Sequence, residues 1–283
     1  MDADTVRRRG AKSHSATAGE AVTLRATTRR AAANGTDIAR HSAATAGGQP
    51  ARAAAPQVFD ILRDEIISLR LPPRTVLSRV DLQARFGLSS TPIRDALMRL
   101  AEEGLVEIYP QRATIVSAID LPVANQAQFL RRALEQEAVR LLCQRDSGGT
   151  ANRDLVRCLR EIVARQREIA TAGEPVLGET GAQDYDAFIA ADRDFHKTLY
   201  DAAGAPDLWV LMRRHSGHVD RIRRLNLPTE GKMQEIIRDH TAIIKAIAAS
   251  DADGAQAAMR CHLSRSIAHW DDMRRAFPGH FTE

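Results

Sequence analysis

Three breakers, Gly87, Pro92 and Gly104, constrain this chain more than any other feature, because they leave room for only two short helices joined by a tight turn. Ser78 followed three residues on by Asp81 has the capping-box pattern, Leu82 and Phe86 supply an apolar face, and Gly87 is placed to end the helix in a left-handed conformation. The next helix begins almost at once. Ser89 is a suitable N-cap and Pro92 lies in the first turn, where a missing N–H costs little. Ile93, Leu97 and Leu100 form a buried stripe until Gly104. Upstream, Val58, Phe59, Leu62, Ile66 and Leu69 recur at helical spacing from about Pro56, and Leu71-Pro72-Pro73 stops that helix. After Gly104 the period changes to that of strands, Leu105 to Tyr109 and Ala113 to Val116 around a polar tip at Pro110-Gln111-Arg112.

From about Leu121 to Phe277 the pattern is helical throughout, in six segments at 122–145, 151–172, 183–203, 206–226, 232–249 and 252–275. Loop-like stretches separate them, among them 146–149 and 173–181. The expected fold is therefore mainly α: a winged helix-turn-helix over 53–118 followed by an all-helical bundle over 122–275. At 283 residues and 44% hydrophobic content, the chain can build two cores. Residues 1–52 have almost no large apolar side chains and read as a disordered basic tail, with an organelle transit peptide as the alternative. That tail holds most of the basic excess behind the net charge of +4, so a globally basic surface is not what points to nucleic acid. Cys143, Cys158 and Cys261 are too widely spaced for a disulfide framework or a CxxC metal site, and no apolar run is long enough to span a membrane. The expected location is the cytoplasm.

Burying Ile93, Leu97 and Leu100 leaves Ser90, Thr91, Arg94, Asp95 and Met98 on the outer side of the second helix of the pair. A helix of this kind fits the major groove of double-stranded DNA and presents free N–H groups to phosphate. Arg94 is placed to grip guanine bidentately, Ser89, Ser90 and Thr91 to bond phosphate or base edges, Arg79 to reach phosphate, and Arg112 at the wing tip to touch backbone or minor groove. The plainer reading of Arg94 is an ion pair with a neighbouring acid on a solvated face. The segments Val76-Leu77-Ser78, Asp81-Leu82, Phe86 to Leu97, Arg99-Leu100 and Glu103 to Val106 resemble the GntR family of bacterial regulators. Two positions depart from that pattern: Ser90 stands where the family usually has Arg, and Ala113 where the wing usually has Gly. The resemblance implies a homodimer on a palindromic operator.

In the helical part, Asp192 and His196 are four apart on one helix face, a spacing suited to sharing one cation. His240 and His262 lie on two further amphipathic segments, and if the faces converge the four could bind a divalent ion such as Zn, Ni or Mn. Hydrogen-bonded core histidines are the plainer reading. Arg131-x-x-Leu134-Glu135-x-x-Ala138, Asp192-x-x-Phe195-His196, the segment bearing His240, and Met259-x-x-His262-Leu263 resemble the FCD sensor domain of the FadR subfamily. That resemblance implies that Asp192, His196, His240 and His262 hold a metal beneath a small carboxylic acid effector. Arg131 is then a charge partner for the acid or a structural partner of Glu135. His215 and His218 are a further pair, of which His218 is expected on the wall of the effector cavity. The leading expectation is thus a ligand-responsive transcription regulator. A metal-dependent hydrolase using the Asp and His residues, and an effector-independent DNA-binding protein, are the alternatives.

Overall fold

A computed structural model describes residues 51–145, 149–172, 179–265 and 269–282, with the side chains of 51–54 and 179–184 excepted. The tail expected over 1–52 lies outside the described residues up to position 50, as do parts of the two expected loops at 146–149 and 173–181. The breakers act as their chemistry dictates. Helix α1 (Ala51–Ile67) is followed by α2 (Arg79–Phe86), where the Ser78 hydroxyl accepts from the Asp81 N–H at 3.3 Å. Gly87 caps α2 with φ +64°, a conformation that costs glycine little. Helix α3 (Ser90–Glu102) starts at the expected N-cap Ser89, although the Ser89 side chain makes no capping bond. It ends before Gly104, whose φ is +70°. Val58, Leu62, Ile66, Ile93, Leu97, Leu100 and Leu105 close one apolar core among these helices.

The wing is the antiparallel pair β1 (Val106–Tyr109) and β2 (Ala113–Val116). Its left-handed residue is Gln111, at φ +57°, so the turn is accommodated before Arg112 and Ala113 carries no positive φ. Two features differ from the periodicity. Helix α1 stops at Ile67, and Leu69, expected on its apolar face, instead takes φ +63°. The segment after Pro73 is bonded rather than loose: Leu77 N–H donates to Thr114 O, Val116 N–H to Thr75 O, and Arg74 N–H to Val116 O.

The remainder is helical: α4 (Leu121–Gln144), α5 (Thr150–Thr171), α6 (Glu179–Ala203), α7 (Pro206–His215), α8 (Gly217–Asn226), α9 (Lys232–Ala248), α10 (Ala252–Arg265) and α11 (Trp270–Ala276). The expected helix over 206–226 is two, because the chain breaks at Ser216. Gly217 then packs so closely that a Cβ there would lie 2.6 Å from Leu105 Cδ2. A second apolar core joins α4, α5, α6, α9 and α10 through Val139, Leu159, Phe188, Phe195, Ile243, Met259 and Leu263. Each such side chain contributes roughly 1.5–3 kcal/mol on burial. A third cluster, around Ile119, Ile222, Trp270 and Phe281, clamps the connection between wing and bundle, where Ile119 N–H donates to His280 O and Thr282 N–H to Ile119 O. The described residues from 51 to 282 form one compact unit.

Candidate functional site

On α4, α5, α6, α9 and α10 the buried stripes are not wholly apolar. Glu135, Gln166, Asp192, His196, Asp239, His240 and His262 occupy inward positions and are all buried. The stripes meet so that Asp192, His196, His240 and His262 each offer a ligand atom within 4.8 Å of the others. His196 Nε2 lies 3.3 Å from His262 Nε2 and 3.9 Å from Asp192 Oδ1, and His240 Nε2 lies 3.6 Å from the same oxygen.

The opposite edge of each imidazole faces an oxygen: His240 Nδ1 is 2.9 Å from Gln166 Oε1, His196 Nδ1 is 2.8 Å from Glu135 Oε2, and His262 Nδ1 is 3.5 Å from Asp239 Oδ2. The last two are close approaches outside hydrogen-bond alignment. Oxygens on that side favour a ring proton on Nδ1, the tautomer whose Nε2 lone pairs converge. Two lone pairs at 3.3 Å beside a carboxylate oxygen repel unless a cation or proton lies between them. Among the described residues, Asp192 Oδ1 and His240 Nε2 have no hydrogen-bond partner. This is a donor set that fits a divalent ion.

Burial favours neutral imidazoles, pulling the His196 pKa down to about 4 against the opposing pull of Glu135, and lowering that of His240. Burial would raise the Asp192 carboxyl, yet Arg223, with His196 and His240, holds it well below its ordinary range. Arg223 bonds Asp192 Oδ2, leaving Oδ1 toward the histidines. Phe195 stacks on His240 at 3.8 Å and orients the ring.

Arg131 is buried and pairs through Nε with Glu135 Oε1 at 2.7 Å. It also lines a cavity of about 220 Å³ together with Asp192, His196 and His262. The two readings of Arg131 are therefore compatible in one side chain. The wall of this cavity also includes Asp64 and Ile67 from α1 and Ser68 just beyond it.

His218, expected on the cavity wall, lies elsewhere. Because the chain re-enters helix at Gly217 against Leu105, His218 is turned to the joint between wing and bundle, where its Nδ1 accepts from the Asp120 N–H at 3.0 Å. Arg221, fully buried, shares this joint and donates from Nη1 to Ser117 O at 2.6 Å. His215 is exposed.

The residues expected to read DNA, Arg79, Ser89, Ser90, Thr91, Arg94 and Arg112, are all exposed. Arg79, Arg94 and Arg112 line one groove between α2, α3 and the wing, and among the described residues none of the three has an ion-pair partner.

Gln166, Asp239 and Arg223 were not singled out by the sequence. A polar residue on an otherwise apolar helix face, as Gln166 is between Val163 and Ala170, is the signal that marks such positions.

The sequence model described as bacterial regulatory proteins, gntR family, matches residues 54–116, and that of the FCD domain matches 127–265. A relative from Streptomyces ambofaciens, described as an HTH-type transcriptional regulator in an unstable DNA locus, is 33% identical over 76% of this chain and 82% of its own length. The HTH-type transcriptional repressor RspR of Escherichia coli is 28% identical over 73% of this chain and 84% of its own. Among solved structures, Escherichia coli McbR/YncC superposes with a TM-score of 0.63 at 19% identity, covering 77% of this chain and 97% of that one.

Proposed function

Because the chain belongs to the gntR family of bacterial regulatory proteins and carries an FCD domain, and so is a transcriptional regulator, we propose that a small organic acid bound over a divalent metal ion modulates how its dimer holds operator DNA. On this reading residues 53–118 read DNA, and 122–275 bind the effector and the second copy. Donor convergence carries the proposal: Asp192 Oδ1 and three Nε2 atoms face one another while each Nδ1 is turned to an oxygen. Asp192, His196, His240 and His262 would hold the ion, which supplies a Lewis-acid centre with positions left open for a carboxylate.

Arg131 supplies a fixed positive charge on the cavity side, and its pairing with Glu135 keeps it oriented. Coupling to DNA runs along α8. Arg223 holds Asp192 from one turn of this short helix, while Arg221 and His218, on another face, hold Ser117 and Asp120. Ser117 in turn donates to Gly104 O, at the end of the reading helix. An acid that shifts Asp192 or Arg223 therefore moves a rigid element whose other contacts set the wing and the recognition helix, which biases the population of DNA-competent dimers.

The test is thermal unfolding of the full chain with Zn, Ni or Mn salts and a panel of small organic acids, with and without chelator. At a metal concentration one hundred times the dissociation constant, stabilisation is about 2.7 kcal/mol. Asp192→Ala and His240→Ala should each remove the metal-dependent part. Acid stabilisation indifferent to chelator, or none in the metal-loaded protein, overturns the reading.

A further inference from the structure

The connection between wing and bundle, residues 117–120, is short and bonded at most of its steps. Ser117 N–H donates to Leu105 O, Ser117 O accepts from Arg221, and Asp120 N–H donates to His218 Nδ1. Ile119 is held by a different part of the chain. Its N–H donates to His280 O at 2.8 Å and its carbonyl accepts from Thr282 N–H at 2.9 Å, so that Ile119 and Phe281 form a parallel bridge with both side chains buried. These partners belong neither to the helix-turn-helix and wing nor to α4–α10. Like the connection they grip, they lie outside the two stretches that match family models, 54–116 and 127–265.

Residues 269–282 are anchored at two points. Trp270 and Phe281, 5% and 2% exposed, both enter the cluster that contains Ile119, Val219 and Ile222. Between them all side chains except Met273 and His280 are exposed. Arg275 and His269 both pair with Asp272, so these ion pairs close within the segment rather than onto the bundle. A segment held by two aromatic anchors and a pair of backbone bonds opens at a lower free energy than the helices it lies on. What it holds is the pivot of the DNA-facing unit. Two such units on one dimer engage two half-sites together only while their orientation matches the spacing of the sites.

We propose that residues 269–282 are a strap that fixes the orientation of the helix-turn-helix and wing by gripping Ile119, and that release of the strap frees this unit to swing on the 117–120 connection. This rests on the dimeric, DNA-binding part of the reading above and not on its metal.

The experiment compares wild type with three variants of the full chain. Thr282→Pro removes the N–H that Ile119 O accepts, and Phe281, at φ −107° and ψ 159°, already has the extended backbone that a following proline requires. Phe281→Ala removes the buried anchor, and Phe281→Leu keeps most of it. In hydrogen exchange read by mass spectrometry, Thr282→Pro and Phe281→Ala should lower protection at 117–120 by at least about tenfold and leave α4, α5, α6, α9 and α10 unchanged. Phe281→Leu should resemble wild type. By fluorescence anisotropy with a duplex from upstream of the coding sequence, the first two variants should bind roughly tenfold more weakly, a part of the hundredfold or more that joint engagement of two tethered modules supplies. Unchanged protection at 117–120 in both variants overturns the strap, as does protection lost throughout the bundle, which would make Phe281 an ordinary core residue. Lost protection with unchanged affinity overturns its role in orientation. Wild type that binds the duplex as a monomer, sized by analytical ultracentrifugation, overturns the dimeric reading instead, while exchange still decides the grip on Ile119.

Discussion

Replacing Arg221 by Met should leave the fold nearly as stable while cutting the link between bundle and wing. Arg221 is fully buried, and no carboxylate among the described residues compensates its charge. Burial alone pulls its pKa down from the ordinary guanidinium range to about 10. The charged form is thus disfavoured in the fold by roughly 3 kcal/mol, a penalty present in full at neutral pH, where folded and unfolded chains are both protonated. Against it stand the donations to Ser117, at 2.6 Å to the carbonyl and 3.3 Å to the hydroxyl, worth about 1.5–3 kcal/mol for a charged donor in good geometry. Met matches most of the side-chain length and removes both terms. The net change should lie within about 2 kcal/mol of zero, a shift of no more than roughly 4–8 °C for a chain of this size. Arg221→Ala, which also empties the space of the stem, should be distinctly worse. Circular-dichroism melts measure this part. The coupling is measured by hydrogen exchange with and without Mn: in wild type, metal alters protection in α6, α8 and the 104–120 segment, and in Arg221→Met the response stops at α8. A loss above 4 kcal/mol would show that the guanidinium is a structural keystone. An unchanged response at 104–120 would show that α8 is not the route.

The same joint predicts an acid sensitivity. Burial first, then Arg221, lowers the His218 pKa from 6.5 to about 4, with Asp120 and the Gly104 backbone opposing. The unfolded chain therefore binds more protons between those values. The contribution of His218 is fully present above pH 6.5 and is lost as pH falls toward 4, about 3 kcal/mol in all. His218→Asn, whose Oδ1 can replace Nδ1 as acceptor for the Asp120 N–H, should flatten that part of the stability–pH curve measured by denaturant titration; an identical curve would refute the assignment. At the DNA-facing groove, Arg94→Ala should weaken binding to a duplex from upstream of the coding sequence by about 1–3 kcal/mol, read by fluorescence anisotropy, and should relax sequence preference. A uniform loss on all sequences would make Arg94 a phosphate contact instead.

What the sequence made legible follows from how locally each feature is determined. Gly87, Pro92 and Gly104 act through their own backbone, so the helix-turn-helix and its limits could be read from them, and the left-handed angles at Gly87 and Gly104 agree. The break at Ser216 could not be read, since nothing in the periodicity of 206–226 interrupts the apolar stripe. It depends on Leu105, over a hundred residues away, meeting Gly217. His218, expected on the cavity wall, instead faces Asp120 in the second of the two helices.

The Asp and His cluster lies between these extremes. Its members could be named because each interrupts an apolar stripe, but their convergence depends on how α6, α9 and α10 pack, which no single stripe encodes. The outer partners were harder still, because Gln166 and Asp239 resemble ordinary polar residues until a histidine Nδ1 is found facing them. On the metal-centred reading proposed above, they are what distinguishes this cluster from a set of core histidines. A core histidine is satisfied by one partner at each nitrogen, while these three set Nδ1 beside an oxygen, bonded only at His240, and turn Nε2 toward one another and Asp192. Arg223 completes the arrangement from outside, holding one oxygen of Asp192 and leaving the other beside the histidines. Among the described residues, Asp192 Oδ1 and His240 Nε2 thus meet at a centre where neither has a hydrogen-bond partner, which is the feature the proposed cation would satisfy.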